Sequence, residues 1–254
     1  MTFDLKSIQK TRRDVPPRVV VYGPHKIGKS TFASCAPAPV FVQTEDGLDS
    51  IDASAFPLAQ SWQDIMAAVG TLYTEPHDFR TVVLDSADWA EKLCWGAVAE
   101  EHGKSGIEEI GYGKGYVYAA EKFNDLFAGL NALRLDRNMN IIVLCHTEVK
   151  HYDDPLADSY DRHQIKMHKH SAKILQEWAD VIGFAQLESQ TRTKKGKGFR
   201  DDRTVAMTTG RRVLHLANNP AHDAGNRYGL PDQIDLTWPA FEQALNAARG
   251  NDGE

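Results

Sequence analysis

The clearest chemical pattern in the sequence is an eight-residue segment near its start. The segment is Gly23-Pro24-His25-Lys26-Ile27-Gly28-Lys29-Ser30, and it matches the pattern G-x-x-x-x-G-K-[S/T]. In such a loop, glycines let backbone amides turn toward phosphate oxygens, the lysine neutralises β- and γ-phosphates, and the hydroxyl helps to hold Mg²⁺. We therefore expect Gly23 to Thr31 to bind a nucleotide, with Lys29 at its phosphates and Ser30 at the metal.

A carboxylate further along the chain fits the same metal site. Asp85 ends the apolar run Thr81 to Leu84, which predicts a buried strand. A carboxylate at such a strand end can hold Mg²⁺ through water. The alternative is that Asp85-Ser86 caps a following helix. With the phosphate-binding pattern upstream, the sequence favours the metal role.

The elements that must position these residues alternate along the chain. Short apolar runs predict strands, and segments with helical spacing separate them, which is typical of a mostly parallel sheet with helices on its faces. The strands are expected at Val19 to Tyr22, Pro39 to Val42, Thr81 to Asp85 and Ile141 to Cys145. Amphipathic helices are expected at Ser61 to Tyr73, with Ser61 as its cap, and at Tyr116 to Leu135.

The N-terminal segment and the part of the chain after His151 differ from this alternating pattern. Residues 1–18 are polar and predict an N-terminal arm, followed by one domain over residues 19–250. The polar segment His151 to His170 predicts a functional or disordered loop. Thr204 to Thr209 and Val213 to Ala217 predict an antiparallel hairpin that turns at Gly210-Arg211. A terminal helix is expected from Trp238 to Ala248.

Composition excludes several classes of protein. The chain has 254 residues, 42% of them hydrophobic and 25% charged, as in ordinary globular proteins rather than collagen-like or disordered ones. Its net charge of −6 argues against a uniformly basic surface for nucleic acid. No apolar run approaches the ~18 residues of a membrane span, so we expect a cytoplasmic protein with no membrane partner.

Cysteines and histidines do not predict a zinc site. Cys35, Cys94 and Cys145 are widely spaced and form no C-x-x-C pair, so a disulfide framework is not expected either. The histidines between His146 and His170 lack cysteine partners and have lysines among them, which would repel a cation.

The order of the strand-end segments resembles a known family. The segments are Val40 to Asp49, Val82 to Ser86 and Ile141 to His146, with Tyr112 to Tyr118 and Asn226 to Pro231 also matching. They are similar to the core strands of RecA-type recombinases, and in particular to phage-encoded RecA-like AAA-domain ATPases of single-strand annealing and recombination. The resemblance extends from about Val19 to Ala244. It implies an α/β, RecA-like P-loop NTPase fold with a C-terminal antiparallel hairpin extension.

The resemblance also implies roles for individual residues. Glu45 occupies the place of the glutamate that orients the attacking water, with Asp46 as the second candidate and a surface turn of acids as the alternative. His146 stands where relatives carry a polar sensor of the γ-phosphate, often Gln or Asn. It is otherwise a core histidine. Arg227 is the candidate for an arginine that reaches the nucleotide of a neighbouring subunit. Arg211 and Arg212 compete for that role, and a solvated surface arginine is the alternative.

A further implication is a DNA-binding role at the loops after the third and fourth core strands. Tyrosines beside glycines offer faces on which single-stranded bases stack, and basic segments neutralise phosphates. The tyrosines are Tyr112, Tyr116 and Tyr118, beside Gly111, Gly113 and Gly115. The basic residues are Arg162, His163, Lys166, His168, Lys169, His170 and Lys173, and then Lys194, Lys195, Lys197, Arg200 and Arg203. The alternatives are a solvated charged face and, for Tyr116, a place in the core.

The sequence thus predicts an ATP- and Mg²⁺-dependent ATPase that binds single-stranded DNA. We expect a homo-oligomer with the ATP site at the subunit interface. We also expect it to work with recombination or single-strand-binding proteins in the cytoplasm of a bacterial host cell. ATP is preferred over GTP because no N-K-x-D stretch is present. A P-loop kinase of a small substrate stays open, with residues 162–173 as its lid. So does a nucleotide-gated DNA-binding module with little turnover.

Overall fold

The structure is a computed structural model that describes Asp4 and residues 14–153, 158–194 and 203–250. Within 189–194 and 203–208 it describes the backbone alone. The strands are β1 (Arg18–Gly23), β2 (Pro39–Gln43), β3 (Ser54–Ala55), β4 (Thr81–Asp85), β5 (Asn140–Tyr152), β6 (Tyr160–Ile165), β7 (Val181–Lys194), β8 (Arg203–His215), β9 (Gly225–Asn226) and β10 (Gln233–Asp235). The helices are α1 (Lys29–Ser34), α2 (Trp62–Thr74), α3 (Ala87–Glu101), α4 (Lys114–Asp136), α5 (Lys169–Trp178) and α6 (Trp238–Gly250), with short 3₁₀ turns at Ile107–Glu109 and Gly111–Gly113.

The strands described form one mixed sheet. Its order is β10-β8-β7-β1-β5-β4-β2-β3, with β6 paired to β5 and β9 to β7. From β7 to β3 the neighbours along this order are parallel, whereas β8, β10, β6 and β9 pair in antiparallel fashion. β5 lies between β1, which leads into the phosphate-binding segment, and β4, which ends in the predicted metal residue Asp85. These two strands are therefore not neighbours. The expected α/β class with a mostly parallel central sheet is confirmed.

Apolar side chains cover both faces of the sheet. Val20, Tyr22 and Val143 pack on one face against α2, α3, α4 and α5. Val21 and Leu144 pack on the other face against α1 and α6. Strands buried on both faces need continuous apolar runs, which explains why the four core strands were predictable from the sequence.

Local signals place the helices next to this sheet. Ser61 accepts a hydrogen bond from Asp64 N, and the Asp64 carboxylate accepts one from Ser61 N, which completes a capping box at the start of α2. On α4 every residue of the expected apolar face is buried except Tyr116, which is half-buried. Within the described residues no helix is both long and apolar enough to cross a lipid bilayer.

Two expectations about the second half of the chain are wrong. In the described residues of the segment His151 to His170, β5 runs on to Tyr152, β6 pairs with it from Thr147↔Ile165 to Tyr152↔Tyr160, and α5 begins at Lys169. The expected turn at Gly210-Arg211 is absent because β8 is continuous from Arg203 to His215 and forms its hairpin with β7. A register shift between Leu187 and Ser189 accommodates that region.

Of the expected arm, residues 1–3 and 5–13 lie outside the described part of the chain. The segment that leads into β1 packs against the fold. Asp14 pairs with Arg249 at 2.9 Å, and Pro16 O accepts a hydrogen bond from Arg134 at 2.6 Å. The arm and the domain boundary at residue 19 stay predictions.

Candidate functional site

The phosphate-binding segment links the end of β1 to the start of α1. Gly23 is required where the loop leaves the sheet, because a Cβ there would come within 2.4 Å of Ala185 O. At the other end Gly28 has a φ of 108°, and Lys26 has a φ of 61°. These left-handed conformations turn successive amides toward the same side, as in anion-binding loops.

Lys29 lies beneath this loop. Its buried Nζ donates hydrogen bonds to Gly23 O at 3.1 Å and to Pro24 O at 3.0 Å. Burial lowers the pKa of Lys29, and the nearby Asp85 and Glu45 carboxylates oppose this effect. The ammonium group is therefore held at the loop by carbonyls that a phosphate group can replace as partners.

Ser30 and Asp85 meet next to it. Ser30 Oγ donates a hydrogen bond to Asp85 Oδ2 at 2.7 Å. Neighbouring ligands in an octahedral Mg²⁺ site, each ~2.1 Å from the ion, lie about 3 Å apart. The two oxygens therefore fit as cis ligands, or as partners of metal-bound water. Burial raises the pKa of Asp85, a cost that a bound cation would offset.

Thr44 links the ends of β2 and β4 and so places Glu45. Thr44 N donates to Asp85 O at 2.8 Å, Thr44 Oγ1 donates to Ser86 O at 2.7 Å, and Ser86 N donates back to Thr44 Oγ1 at 2.8 Å. Glu45 is the next residue and lies half-buried in the same cleft as Asp85. Burial raises the pKa of Glu45, whereas His146 acts in the opposite direction.

His146 lies between these groups because β5 does. It is the register partner of Gly23 on β1, and its Nε2 is 3.6 Å from Glu45 Oε1. On its other side, His146 Nδ1 is 2.9 Å from Asp88 Oδ2, and His146 N donates to Asp88 Oδ1 at 3.0 Å. Both side chains are buried. Asp88 thereby fixes the imidazole with Nε2 toward Glu45.

Sequence reasoning missed Asp88. Burial raises its pKa, but the hydrogen bonds and charge of His146 outweigh burial and hold the pKa below its usual range. The signal was an acidic residue in the first helical turn, three positions after Asp85. That pattern ordinarily indicates a favourable charge at a helix start, and only the position of β5 shows its partner.

One further histidine packs against this centre. The His25 ring lies 4.2 Å from the His146 ring, and the charge of His146 lowers the pKa of His25. These histidines, with Lys29, Ser30, Glu45 and Asp85, line a cleft of about 500 Å³. Its walls also include Lys26, Gly28, Thr31, Asp46 to Leu48, Ser50, Ile51 and Arg212.

The fold and this cleft agree with a comparison against protein families. The model of a family described as an AAA domain matches residues 15–228. The chain belongs to this AAA-domain family. A comparison with curated proteins finds no match. Membership identifies the chain as a P-loop ATPase domain of the AAA type. Of the predicted nucleotide-binding residues, His25, Lys26 and Gly28 to Thr31 line the cleft, whereas Ile27 is buried in the apolar core.

Not every predicted residue of this AAA domain lies at the cleft. Arg227 lies at the opposite end of the strands, near the start of β7, where its guanidinium bonds Asp180 Oδ1 at 3.4 Å and Glu177 O at 2.7 Å. Within one chain it cannot reach the phosphate-binding loop. Only a neighbouring copy could bring it there, so its role between subunits stays a prediction.

The expected DNA-binding residues are divided. Tyr116 stacks on His168 at 4.0 Å between ring centres, and Tyr118 stacks on His102 at 4.8 Å, so both rings already have partners within the AAA domain. Tyr112 is fully exposed. Arg162 is buried and bonds His222 O at 3.1 Å and Asn218 Oδ1, so it is not available to a phosphate.

The second basic segment falls largely beyond the described residues. Lys195, Lys197 and Arg200 lie outside them, and the side chains of Lys194 and Arg203 are not described. In the described residues no group of three or more His, Cys, Asp or Glu side chains is arranged to hold a metal ion.

Proposed function

We propose that this AAA domain is a Mg²⁺-dependent ATPase that acts on single-stranded DNA in recombination or annealing, as a homo-oligomer. The observation that carries the proposal is the contact chain Asp88–His146–Glu45 beside the Ser30–Asp85 pair. A phosphate-binding loop alone indicates nucleotide binding. Hydrolysis also needs a group that orients the attacking water. The half-buried Glu45 carboxylate, which lies beside the Ser30–Asp85 pair and next to the His146 imidazole, can supply it.

Each side chain has a distinct task in this proposal. Lys29 binds the phosphates by charge, and Ser30 with Asp85 would hold Mg²⁺, which neutralises phosphate charge when bound. Glu45 orients the water that attacks, since phosphoryl transfer depends mainly on positioning. His146 keeps Glu45 in place and is within reach of the same water.

Support for single-stranded DNA comes from the surface beside the Tyr116–His168 stack. That stack joins the start of α4 to the start of α5, so Tyr112 and Lys114 lie on the same side of the molecule as Lys169. All three are exposed. An exposed ring with lysines on the same side of the molecule suits a strand whose bases stack and whose phosphates pair with cations.

The kinase alternative needs an arginine-bearing lid over the cleft. Residues 162–173 were its candidate, but Arg162 is buried in the β5–β6 region and bonded to Asn218 and His222. We therefore place hydrolysis ahead of transfer to a small substrate.

The test is ATP hydrolysis by the purified chain with Mg²⁺ at low salt, alone and with single- or double-stranded DNA, because phosphate contacts weaken as ionic strength rises. We expect turnover that single strands stimulate. Lys29→Ala should lose ATP binding, and Glu45→Gln should keep ATP affinity but lose turnover.

Three results would contradict the proposal. ATP binding by Lys29→Ala equal to wild type would refute the site. Phosphate appearing on an added nucleoside rather than in water would favour the kinase. Turnover that ignores DNA of every form would refute the DNA part and leave the ATPase.

A further inference from the structure

Arg212 lies over the phosphate-binding loop of its own chain. A Cβ built on Gly28 would be 3.2 Å from an Arg212 guanidinium nitrogen, and Arg212 lines the cleft that contains Lys29 and Ser30. Arg212 comes from β8, nearly two hundred residues after the loop in sequence. No local pattern around the loop predicts this contact.

The strand geometry fixes the direction of this side chain. Side chains alternate across a strand, so Arg212 shares a face with Leu214 of β8. Leu214 is fully buried in the core on the α1 side of the sheet. In addition, Arg212 O accepts a hydrogen bond from Leu236 N at 3.0 Å, which holds the backbone in place. The guanidinium is thereby directed toward the loop that precedes α1.

Its neighbour Arg211 differs in one decisive respect. Arg211 Nε bonds Asp235 Oδ1 at 2.6 Å, and Arg211 also pairs with Glu188 at 3.7 Å. None of the ion pairs within the described residues includes Arg212. One arginine of the pair is thus neutralised by carboxylates, whereas the other presents its charge to the cleft.

The balance of charge in the cleft indicates what Arg212 pairs with. Glu45, Asp46 and Asp85 line the cleft, and its lysines are Lys26 and Lys29. A nucleotide triphosphate adds several more negative charges to this space. A guanidinium can neutralise part of this negative charge, and its planar donors can bind two phosphate oxygens at once.

We propose that Arg212 binds the phosphates of the nucleotide held by its own chain, as a second basic residue beside Lys29. This inference rests on the proposed ATP site. It differs from an arginine that reaches across a subunit interface, since the contact with the loop of the same chain is already made. A neighbouring copy is not needed for it, whatever Arg227 adds between copies.

The first test compares Arg212→Gln with Arg211→Gln as a matched control. We expect Arg212→Gln to weaken ATP and ADP binding about tenfold or more at low salt, because a charged hydrogen bond is lost. The difference from wild type should shrink as salt is added. Arg212→Lys should recover part of the affinity, and Arg211→Gln should stay within about twofold of wild type. Thermal unfolding of each variant shows whether the fold is intact.

The second test separates a contact within one chain from one between chains. Arg212→Gln is mixed with Lys29→Ala, and hydrolysis is measured at an ATP concentration well below the wild-type KM. If Arg212 served a neighbour, a Lys29→Ala chain would supply the missing arginine to an intact loop, and activity would return. For a contact within the chain, we expect no gain over the sum of the separate variants.

Three outcomes overturn the inference: unchanged nucleotide affinity in Arg212→Gln, equal losses in Arg211→Gln and Arg212→Gln, or recovery on mixing. Failure of the proposed ATPase would be a different result, namely wild-type chain that binds ATP without turnover. In that case equilibrium binding by the two arginine variants still decides whether Arg212 contacts the phosphates.

Discussion

Replacing Asp88 by Asn is the sharpest test of the site chemistry. The carboxylate accepts two buried hydrogen bonds from His146, at 2.9 Å from the ring and at 3.0 Å from the backbone. An asparagine oxygen can keep the backbone bond, but the amide nitrogen then faces Nδ1 and donates to it. The ring must therefore carry its proton on Nε2, the atom that faces Glu45.

The size of the effect follows from the ring's bond to the charged carboxylate, which the variant replaces with a neutral bond from its amide group. A hydrogen bond to a charged group contributes ~1.5–3 kcal/mol, which at ~1.36 kcal/mol per factor of ten corresponds to a rate loss of about 10- to 150-fold. ATP affinity should stay within about threefold, because Lys29 and the loop are untouched. The assay is steady-state ATP hydrolysis with Mg²⁺, together with equilibrium binding of a fluorescent ATP analogue.

Glu91 offers a matched control on the same helix. It is also a buried acid, and its carboxylate accepts hydrogen bonds from His168 N at 3.0 and 3.2 Å, away from the cleft. Glu91→Gln should lower the unfolding temperature and leave kcat within about twofold of wild type. A kcat for Asp88→Asn equal to wild type, or an equal fall of kcat in both variants, would refute the assigned role of Asp88.

Three further predictions concern stability and the metal. Burial lowers the pKa of His222 from 6.5 to about 4, so the unfolded chain binds the proton first as pH falls below about 6.5. This group alone should therefore lower the free energy of unfolding by ~2 kcal/mol between pH 7 and pH 5. In urea unfolding, His222→Phe should show a fall between these pH values that is smaller by that amount. Ser61→Ala removes the α2 cap and should cost ~1 kcal/mol in urea unfolding with hydrolysis unchanged; no cost would show that the cap is redundant. Asp85→Asn should raise the Mg²⁺ concentration for half-maximal hydrolysis about tenfold or more, and an unchanged Mg²⁺ titration would argue against Asp85 as a metal residue.

The sequence was most informative where the signal is local. The cap at Ser61 and the apolar face of α4 involve residues three or four positions apart, and both were predicted and are present. The four core strands were predictable because a strand buried on both faces must be apolar throughout. The glycine-rich loop between β1 and α1 carries its own pattern and also lies where expected.

The errors arise where partners are distant in the chain. Gly210 followed by Arg211 resembles a turn, but β7 pairs with β8 on both sides of it, at Thr208 and at Arg212, and the unpaired residues between them form an irregularity within β8. The β5–β6 hairpin projects polar side chains into solvent, so its residues carry little apolar alternation and were interpreted as a loop. The contacts of Asp88 with His146 and of Arg212 with the phosphate-binding loop were not predicted, because they depend on strand order, which places β5 beside β4 and β8 beside β7 and which no local pattern shows.

The long strand β5 connects the cleft with the outer β5–β6 hairpin. Its first half is the buried strand that ends at His146, and the same strand continues without a break to Tyr152, six residues further and ~20 Å away at ~3.3 Å per residue. The cleft and the outer hairpin therefore share one unbroken strand, and no loop lies between His146 and the residues of β5 that pair with β6.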